Sequence, residues 1–317
     1  MKQIKLLKRW FDMLRGKSVF HVEQGIGKYY EKNSIKGYYN DLTGKVNEKT
    51  QIDDKGIPIT TTITGVKAYF PIAIFQYGLG AYDLYLGTRD KKYNKLFLKI
   101  ADWAVNNIND NGMWDCMGTL KDSKHYTQSA MCQSEGVSLL IRAYIESNNK
   151  KYIDCAKKAI EFMITDDKHG GTCTYDGEKI IFQEYVCDND NIAVLNGWVF
   201  SIFGLYDYAK YSNDKKYKEI LAKTLKTLAI DLPKYDRKYW SSYDQKGTIA
   251  SPAYHDLHIK QLKLLYELFH IDEFINYAEK WEKCENSKLN KIIAMLIKLK
   301  QKVLKSKYYD INTSTVS

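Results

Sequence analysis

The chain has 317 residues, with 48 Lys and Arg against 38 Asp and Glu, a net charge of +10, and 44% hydrophobic and 14% aromatic residues. That length suits one large domain or two small ones and can bury a sizeable core, and the apolar content excludes a chain disordered throughout. The most apolar stretch, Ile192 to Tyr206, is short and holds Asn196 and Ser201, so no membrane span is expected.

Met1 leads into Lys/Leu alternation rather than a secretory apolar region with a cleavage site, so the chain is read as cytoplasmic. Six cysteines (Cys116, Cys132, Cys155, Cys173, Cys187, Cys284) form no C-x-x-C pair. Neither a zinc nor a disulfide spacing results, and buried free thiols are expected. The chain holds 43 Lys and only five Arg, beside many Ile, Asn and Tyr, a bias of AT-rich coding. The Lys excess and the 26 tyrosines therefore carry no chemistry by number alone. The charge is also uneven: residues 1–17 sum to +5 and residues 287–310 to +6, which leaves −1 for the rest.

In chain order, Lys2–Leu14 comes first, with Ile4, Leu7, Phe11 and Leu14 on one helical face and basic residues around it. With an extended, β-like lead-in it makes a first region, 1–60. A repeat fills 61–286. In it, one helix ends, a polar turn follows, and a second helix starts at a Lys-Lys-aromatic step or its equivalent. The aromatics are Tyr93, Tyr152, Tyr217 and Phe274, at intervals of 59, 65 and 57 residues. Inner, more apolar helices are expected at 76–86, 135–145, 195–208 and 259–269. Outer helices with charged faces are expected at 91–106, 151–164, 215–229 and 272–283.

Turn residues and aromatics follow each outer helix, and Asp176-Gly177 between β-prone runs predicts a tight hairpin. The period fits a mainly α chain, an α/α toroid or an irregular helical solenoid, with short β-hairpins in the loops at one mouth. Gly78-Leu-Gly80, inside an apolar run, reads as helix packing. Lys288–Leu304 closes the chain as a second basic amphipathic helix, in region 287–317, with Ile292, Leu296 and Leu299 on its apolar face. The two terminal helices either pack on the body or dock on an anionic membrane surface, as a peripheral protein of the inner face would.

Little standard site chemistry is present. His255-x-x-His258 lacks the carboxylates that would complete a metal site, and none is expected. No Gly-rich phosphate loop and no G-x-S-x-G elbow occurs. What remains is a mouth rich in tyrosine: Phe182-Gln-Glu-Tyr185, Tyr239-Trp-Ser-Ser-Tyr243-Asp-Gln-Lys246, and Ser251-Pro-Ala-Tyr254-His255. Asp188, Asp190 and Asp244 lie near it without forming a strong pair of the kind a hydrolase needs.

Five blocks, in order across residues 66–283, resemble the catalytic C-terminal domain of the D-glucuronyl C5-epimerase family. They are Tyr69-Phe-Pro-Ile-Ala-Ile-Phe-Gln-Tyr-Gly-Leu79, Ser129-Ala-Met-Cys-Gln-Ser-Glu-Gly-Val-Ser-Leu-Leu-Ile-Arg-Ala-Tyr144, Glu184-Tyr185 followed by Leu195-Asn-Gly-Trp-Val-Phe-Ser-Ile-Phe-Gly-Leu-Tyr-Asp207, Tyr243-Asp244, and Tyr254-His255-Asp-Leu-His-Ile-Lys-Gln-Leu262. The resemblance implies an α/α toroid that converts glucuronic to iduronic acid units in a heparosan-like polysaccharide, with no cofactor. The family's toroid follows β-rich domains, and the short lead-in before Tyr69 leads us to expect that region missing or reduced. A homodimer is left open.

The implied reaction removes the carbon-5 proton beside a carboxylate and returns one to the opposite face. It needs an acid/base group for each face and donors or a cation for the enediolate. Matched to the family motif, Tyr185 and Tyr254 are the two acid/base groups, Tyr243 is a third tyrosine that positions or shares protons, and Glu184 is a base or an orienting group. Lys246 stands where the family commonly carries an Arg, and supplies a point charge without the planar fork. Asn196, Gln133, Gln76 and Tyr77 are candidate sugar contacts, and His255 either tunes Tyr254 or caps its helix. No nucleic acid partner is expected. The competing readings are a uronic-acid lyase or glucuronyl hydrolase on the same toroid, and a non-catalytic polysaccharide-binding or membrane-associated scaffold.

Overall fold

The computed structural model describes residues 22–47, 50–61, 66–116, 127–186 and 191–306, with side chains to residue 301. The N-terminal helix expected at Lys2–Leu14, and Cys187, Asp188 and Asp190, lie outside them. The chain divides into two compact units: Gly27–Ile230, and Asp231 onward together with the segment ending at Ile26.

The larger unit is three helical hairpins in series. Helix α1 (Pro71–Thr88) pairs with α2 (Lys91–Asn106), α3 (Ala130–Ser147) with α4 (Lys150–Ile164), and α5 (Leu195–Ser212) with α6 (Lys215–Asp231). The first helix of each pair packs against its counterparts, α1 on α3 and α3 on α5. It is buried on nearly every side, whereas α2 and α4 bury one stripe, such as Phe97, Ile100, Ala101 and Ala104. Gly78 lies against Ile100 and Leu139, so the packing role expected of it holds. The inner helices α1 and α3 begin at Pro71 and Ala130, ahead of the expected Gln76 and Glu135. The reason is local. Pro71 sits at N1, where its missing N–H costs nothing, and Ser129 caps α3 by accepting the Cys132 N–H at 3.1 Å.

The polar turns of the repeat now have a cause. Arg89, Asn148, Asn213 and His270 each end an inner helix in the left-handed region, with φ of 60°, 55°, 55° and 52°. After the first three, the next residue caps the outer helix. Asp90 accepts from Lys92 N–H at 2.9 Å, Asn149 from Lys151 N–H at 3.2 Å, and Asp214 from Lys216 N–H at 2.8 Å. The recurring tyrosines join successive outer helices. Tyr152 donates to Asp102 on α2 at 2.6 Å, and Tyr217 donates to Glu161 on α4.

Two short antiparallel pairs accompany the hairpins: β1 (Thr60–Thr61) with β2 (Lys67–Ala68), and β3 (Cys173–Asp176) with β4 (Lys179–Phe182). Asp176 faces Lys179, so the expected tight turn is made by Gly177 and Glu178. Cys116, Cys132, Cys155 and Cys173 are buried free thiols, and Cys284 is half-buried.

One buried charge pair fastens α3 to α5. Arg142 donates Nη1 to Asp207 Oδ2 at 2.6 Å, with both side chains at most 1% exposed. Ser138 Oγ donates to the same oxygen at 2.6 Å, and Tyr39 donates its hydroxyl to Oδ1 at 2.7 Å. Arg142 Nε donates to Gly37 O at 2.8 Å, which ties in the lead-in segment. Lower down, Ser134 Oγ donates to Phe200 O at 2.5 Å and accepts the Gly204 N–H at 3.0 Å.

The smaller unit holds α7 (Pro252–Phe269), α8 (Asp272–Glu285) and α9 (Lys288–Ser306) beneath a strap, residues 231–250. Helix α7 also starts early, at Pro252 rather than the expected Ile259, because Ser251 caps it and Pro252 is at N1. Trp240, Ile249, Ala250 and Ala294 form the core, with Tyr239, Tyr243, Tyr254 and Ile297 against it. Helix α9 is joined to the strap: Ile249 N–H donates to Gln301 at 2.9 Å, and Lys298 donates to Ile249 O at 2.8 Å. It packs through Ala294 and Met295. The stripe of Ile292, Leu296 and Leu299 read as its apolar face is exposed, as is Leu289. No helix among the described residues is long and apolar enough to cross a membrane.

Removing one partner of a buried ion pair leaves an uncompensated charge. Arg142→Met is therefore expected to lower the unfolding free energy by about 3–5 kcal/mol in denaturant titration. A loss below about 1 kcal/mol, the worth of an exposed pair, would contradict this role.

Candidate active site

The candidate residues fall into two groups, one in each unit. In the larger unit, Glu184 and Tyr185 follow β4 on a segment stitched in place by its backbone. Ala130 N–H donates to Gln183 O at 2.9 Å, Gln183 N–H to Thr172 O at 2.9 Å, and Val186 N–H to Gln128 O at 3.2 Å. Gln183 reinforces this by accepting the Ala193 N–H at 3.1 Å. Glu184 is 4% exposed and accepts from Asn196 Nδ2 at 3.4 Å. A Cβ at Gly197 would lie 2.3 Å from Glu184 Oε2, so the carboxylate rests on the first turn of α5. The positive end of that helix favours a negative charge there. Tyr185 is half-buried beside it.

The proposed sugar contacts of this unit separate. Gln76 lies on the inner side and donates to Glu135 Oε1 at 2.8 Å. Asn196 lies at Glu184. Gln133, expected at the sugar, is instead fully buried. It donates to Trp114 O at 3.1 Å and accepts the Trp114 N–H at 3.4 Å, a clip that uses both ends of its amide. Tyr77 lines another cleft of about 400 Å³ with Val46, Asn47, Lys92, Tyr93 and Leu96.

The second group belongs to the smaller unit. Ser251 accepts the Tyr254 N–H at 3.4 Å, which puts Tyr254 in the first turn of α7, again at a positive helix end. Its ring meets that of Tyr243 at 4.9 Å and 63°. Lys298 Nζ is 5.7 Å from the centre of the Tyr243 ring. Tyr243 is held at the start of a tight turn by donating its N–H to Thr248 O at 2.6 Å, and Asp244 accepts the Thr248 N–H at 3.0 Å. Lys246 is exposed on this turn. Arg237 reaches the same turn, with Nη1 3.4 Å from Gly247 O.

His255, expected to tune Tyr254 or cap its helix, is fully buried beneath this surface, and the cap is Ser251. Its ring stacks on Trp240 at 3.7 Å and 14°. The Ser241 backbone N–H donates to Nδ1 at 3.1 Å, so the ring proton is on Nε2, which donates to Trp281 O at 3.1 Å. Ser241 Oγ lies 2.8 Å from His255 Nδ1 and 3.0 Å from His258 Nδ1. The hydroxyl therefore donates to His255 and accepts from His258. Burial pushes His255 down to about 3, and moves His258 in the same direction. The pair is thus neutral packing under the two tyrosines.

Glu135 is a residue that pattern alone did not single out. It is fully buried, and burial pushes its carboxyl up to about 8 against the opposing pull of Gln76 and Lys45. An acidic residue inside the apolar run Ser129–Tyr144 was the available signal.

The family model described as D-glucuronyl C5-epimerase C-terminus matches residues 108–283, which include Glu184, Tyr185, Tyr243 and Tyr254. A D-glucuronyl C5-epimerase of Caenorhabditis elegans is 28% identical over 218 residues, 61% of this chain and 35% of that protein. An uncharacterised protein of Methanocaldococcus jannaschii is 27% identical over 158 residues, 49% of this chain and 51% of that one. The chain thus matches from about a third to a half of the length of these relatives. Among solved structures, a GH76 α-mannanase of Bacteroides thetaiotaomicron superposes with a TM-score of 0.50 at 12% identity, over 80% of this chain and 76% of that one. This likeness concerns the fold alone, and the fold class is the mainly α, α/α toroid kind.

The buried histidines make acid stability a test of this packing. In the unfolded chain His255 takes up a proton near its ordinary value of 6.5, whereas in the fold it does so only near 3. Stability is therefore full above pH about 6.5 and falls as pH drops toward 3, by up to about 1.4 kcal/mol per pH unit for this one proton. Unfolding midpoints measured from pH 7 to 4 are expected to fall in the native protein and to fall less in His255→Gln. Equal slopes in both would contradict a neutral buried His255.

Proposed function

Because the chain belongs to the D-glucuronyl C5-epimerase C-terminus family, we propose that it inverts carbon 5 of D-glucuronic acid residues in a polysaccharide, giving L-iduronic acid. The observation that carries the reading is the family match over residues 108–283, which spans both groups of candidate side chains. Tyr185 and Tyr254 serve as the two acid/base groups. One takes the carbon-5 proton, the electron pair passes into the adjacent carboxylate as an enediolate, and the other returns a proton to the opposite face.

Local electrostatics support these roles. Tyr254 belongs to the first turn of α7, and Lys298 stands over Tyr243, the ring against which Tyr254 packs. Glu184, which rests on the first turn of α5, orients Tyr185, its neighbour in sequence, or accepts its proton in this reading. Each positioned acid/base group is worth about 10²–10⁴ in rate. Lys246 and Asn196 remain contacts for the sugar in this reading.

Tyr254→Phe and Tyr185→Phe are each expected to lower iduronate formation from a glucuronate polymer at least about 100-fold, with unchanged circular dichroism. Full activity in both variants would overturn the assignment. Accumulation of unsaturated, ultraviolet-absorbing chain ends would replace the epimerase by a lyase, in which the same proton abstraction is followed by loss of the carbon-4 substituent.

A further inference from the structure

Helix α9 has two opposed faces, and its printed bonds to the smaller unit come from one of them. Ala294, Lys298 and Gln301 fall on one side of a helix with 3.6 residues per turn. Ala294 belongs to the core, Lys298 donates to Ile249 O at 2.8 Å, and Gln301 donates to Gly247 O at 3.0 Å and accepts the Ile249 N–H at 2.9 Å. Leu289, Ile292, Leu296 and Leu299 recur at intervals of three, four and three residues, so they fall within about 80° of arc on the opposite side. They are 66%, 53%, 62% and 42% exposed. Among the described residues six other large hydrophobic side chains are exposed, each on its own stretch of chain, which is ordinary for a protein surface. A continuous apolar stripe along one helix is not.

The charge around the stripe narrows what can cover it. The helix carries six lysines and no acidic residue, and residues 287–310 sum to +6. Lys288 and Lys300, both exposed, border the stripe on its two sides. A second copy of this helix would set lysine against lysine at that border, and so would the basic N-terminal segment, residues 1–17 with a sum of +5. A soluble acidic polymer would pair with the lysines and leave the leucines in water. An anionic bilayer answers both features, since it offers hydrocarbon to the stripe and phosphate to the lysines beside it. The helix is not long and apolar enough to cross a membrane, so the fitting geometry is along the surface.

We propose that α9 docks the smaller unit on an anionic membrane surface, with Leu289, Ile292, Leu296 and Leu299 among the lipid chains and Lys288 and Lys300 at the headgroups. An interfacial helix of this kind buries its apolar face about 5–10 Å into the boundary between headgroups and acyl chains, while lysine stems extend along it toward the phosphates. The opposite face keeps its bonds to the strap, so docking requires no unfolding of the unit. Lys298 and Gln301 hold residues 247–249, which close the turn of Tyr243 and Lys246. That turn therefore sits about one helix diameter, roughly 10 Å, from the bilayer side of α9. Docking fixes its height over the membrane.

Flotation of the full chain with vesicles tests this. One set is phosphatidylcholine alone, and the other carries about one-third phosphatidylglycerol. The native protein is expected to partition onto the anionic vesicles at least about tenfold more strongly than onto the neutral ones. The double variant Ile292→Gln/Leu296→Gln removes half of the stripe at constant charge, and Lys288→Gln/Lys300→Gln removes the bordering charge and leaves the stripe. Each is expected to weaken binding at least about tenfold. Circular dichroism and the unfolding midpoint should not change, because all four side chains are exposed. No partition by the native protein, equal partition onto neutral vesicles, or full binding by Ile292→Gln/Leu296→Gln would overturn the proposal. Sedimentation velocity without lipid tests the competing occupant. A native dimer that Ile292→Gln/Leu296→Gln converts to monomer would give the stripe to a second copy and overturn the docking.

Discussion

The Arg142–Asp207 pair is the constraint on which the larger unit depends. Two charges at most 1% exposed are tolerable only if each is answered, and here the partners are drawn from α3, α5 and the lead-in. Ser138 belongs to α3 and Tyr39 and Gly37 to the lead-in, while Asp207 itself is on α5. The pair therefore fixes the register of α3 against α5 and draws the N-terminal segment onto both. Its consequences reach the candidate residues. Glu135 lies on α3 two turns before Arg142, and Asn196 and Gly197 open α5 beside Glu184. Slippage of either helix would separate Glu184 from the turn that holds its charge.

The smaller unit solves a similar problem without buried charge. Two neutral histidines share one serine hydroxyl, and a tryptophan lies flat on one of them. This assembly keeps the strap against α7 and so holds Tyr243 beside Tyr254. Both units also place a candidate group at the first turn of a long helix, Glu184 at α5 and Tyr254 at α7. Chemistry that passes through anions gains from such positions, since backbone N–H groups at a helix start stabilise negative charge without adding a titratable group.

The helical order was legible because it is written in backbone chemistry. Asp90, Asn149 and Asp214 follow left-handed residues at each turn, and those same turns mark the repeat in the sequence. Helix starts were less legible. Apolar patterning marks where a helix is buried, whereas Pro71, Ser129 and Pro252 mark where it begins. The candidate tyrosines were visible through motif likeness, yet neighbouring polar residues of the same blocks divide by orientation. Gln76 faces Glu135, Gln133 clips a backbone, Tyr77 lines another cleft, and His255 lies under the surface. One residue of helical rotation decides these fates, and no sequence pattern records it.

The central claim concerns one bond, the carbon–hydrogen bond at carbon 5 of a glucuronate unit. Incubation of the native protein with a glucuronic-acid polymer in deuterated water, followed by NMR, tests it most directly. The account predicts deuterium at carbon 5 together with new iduronate signals in a polymer of unchanged length. A polymer that keeps every carbon-5 proton and shows no iduronate would contradict it.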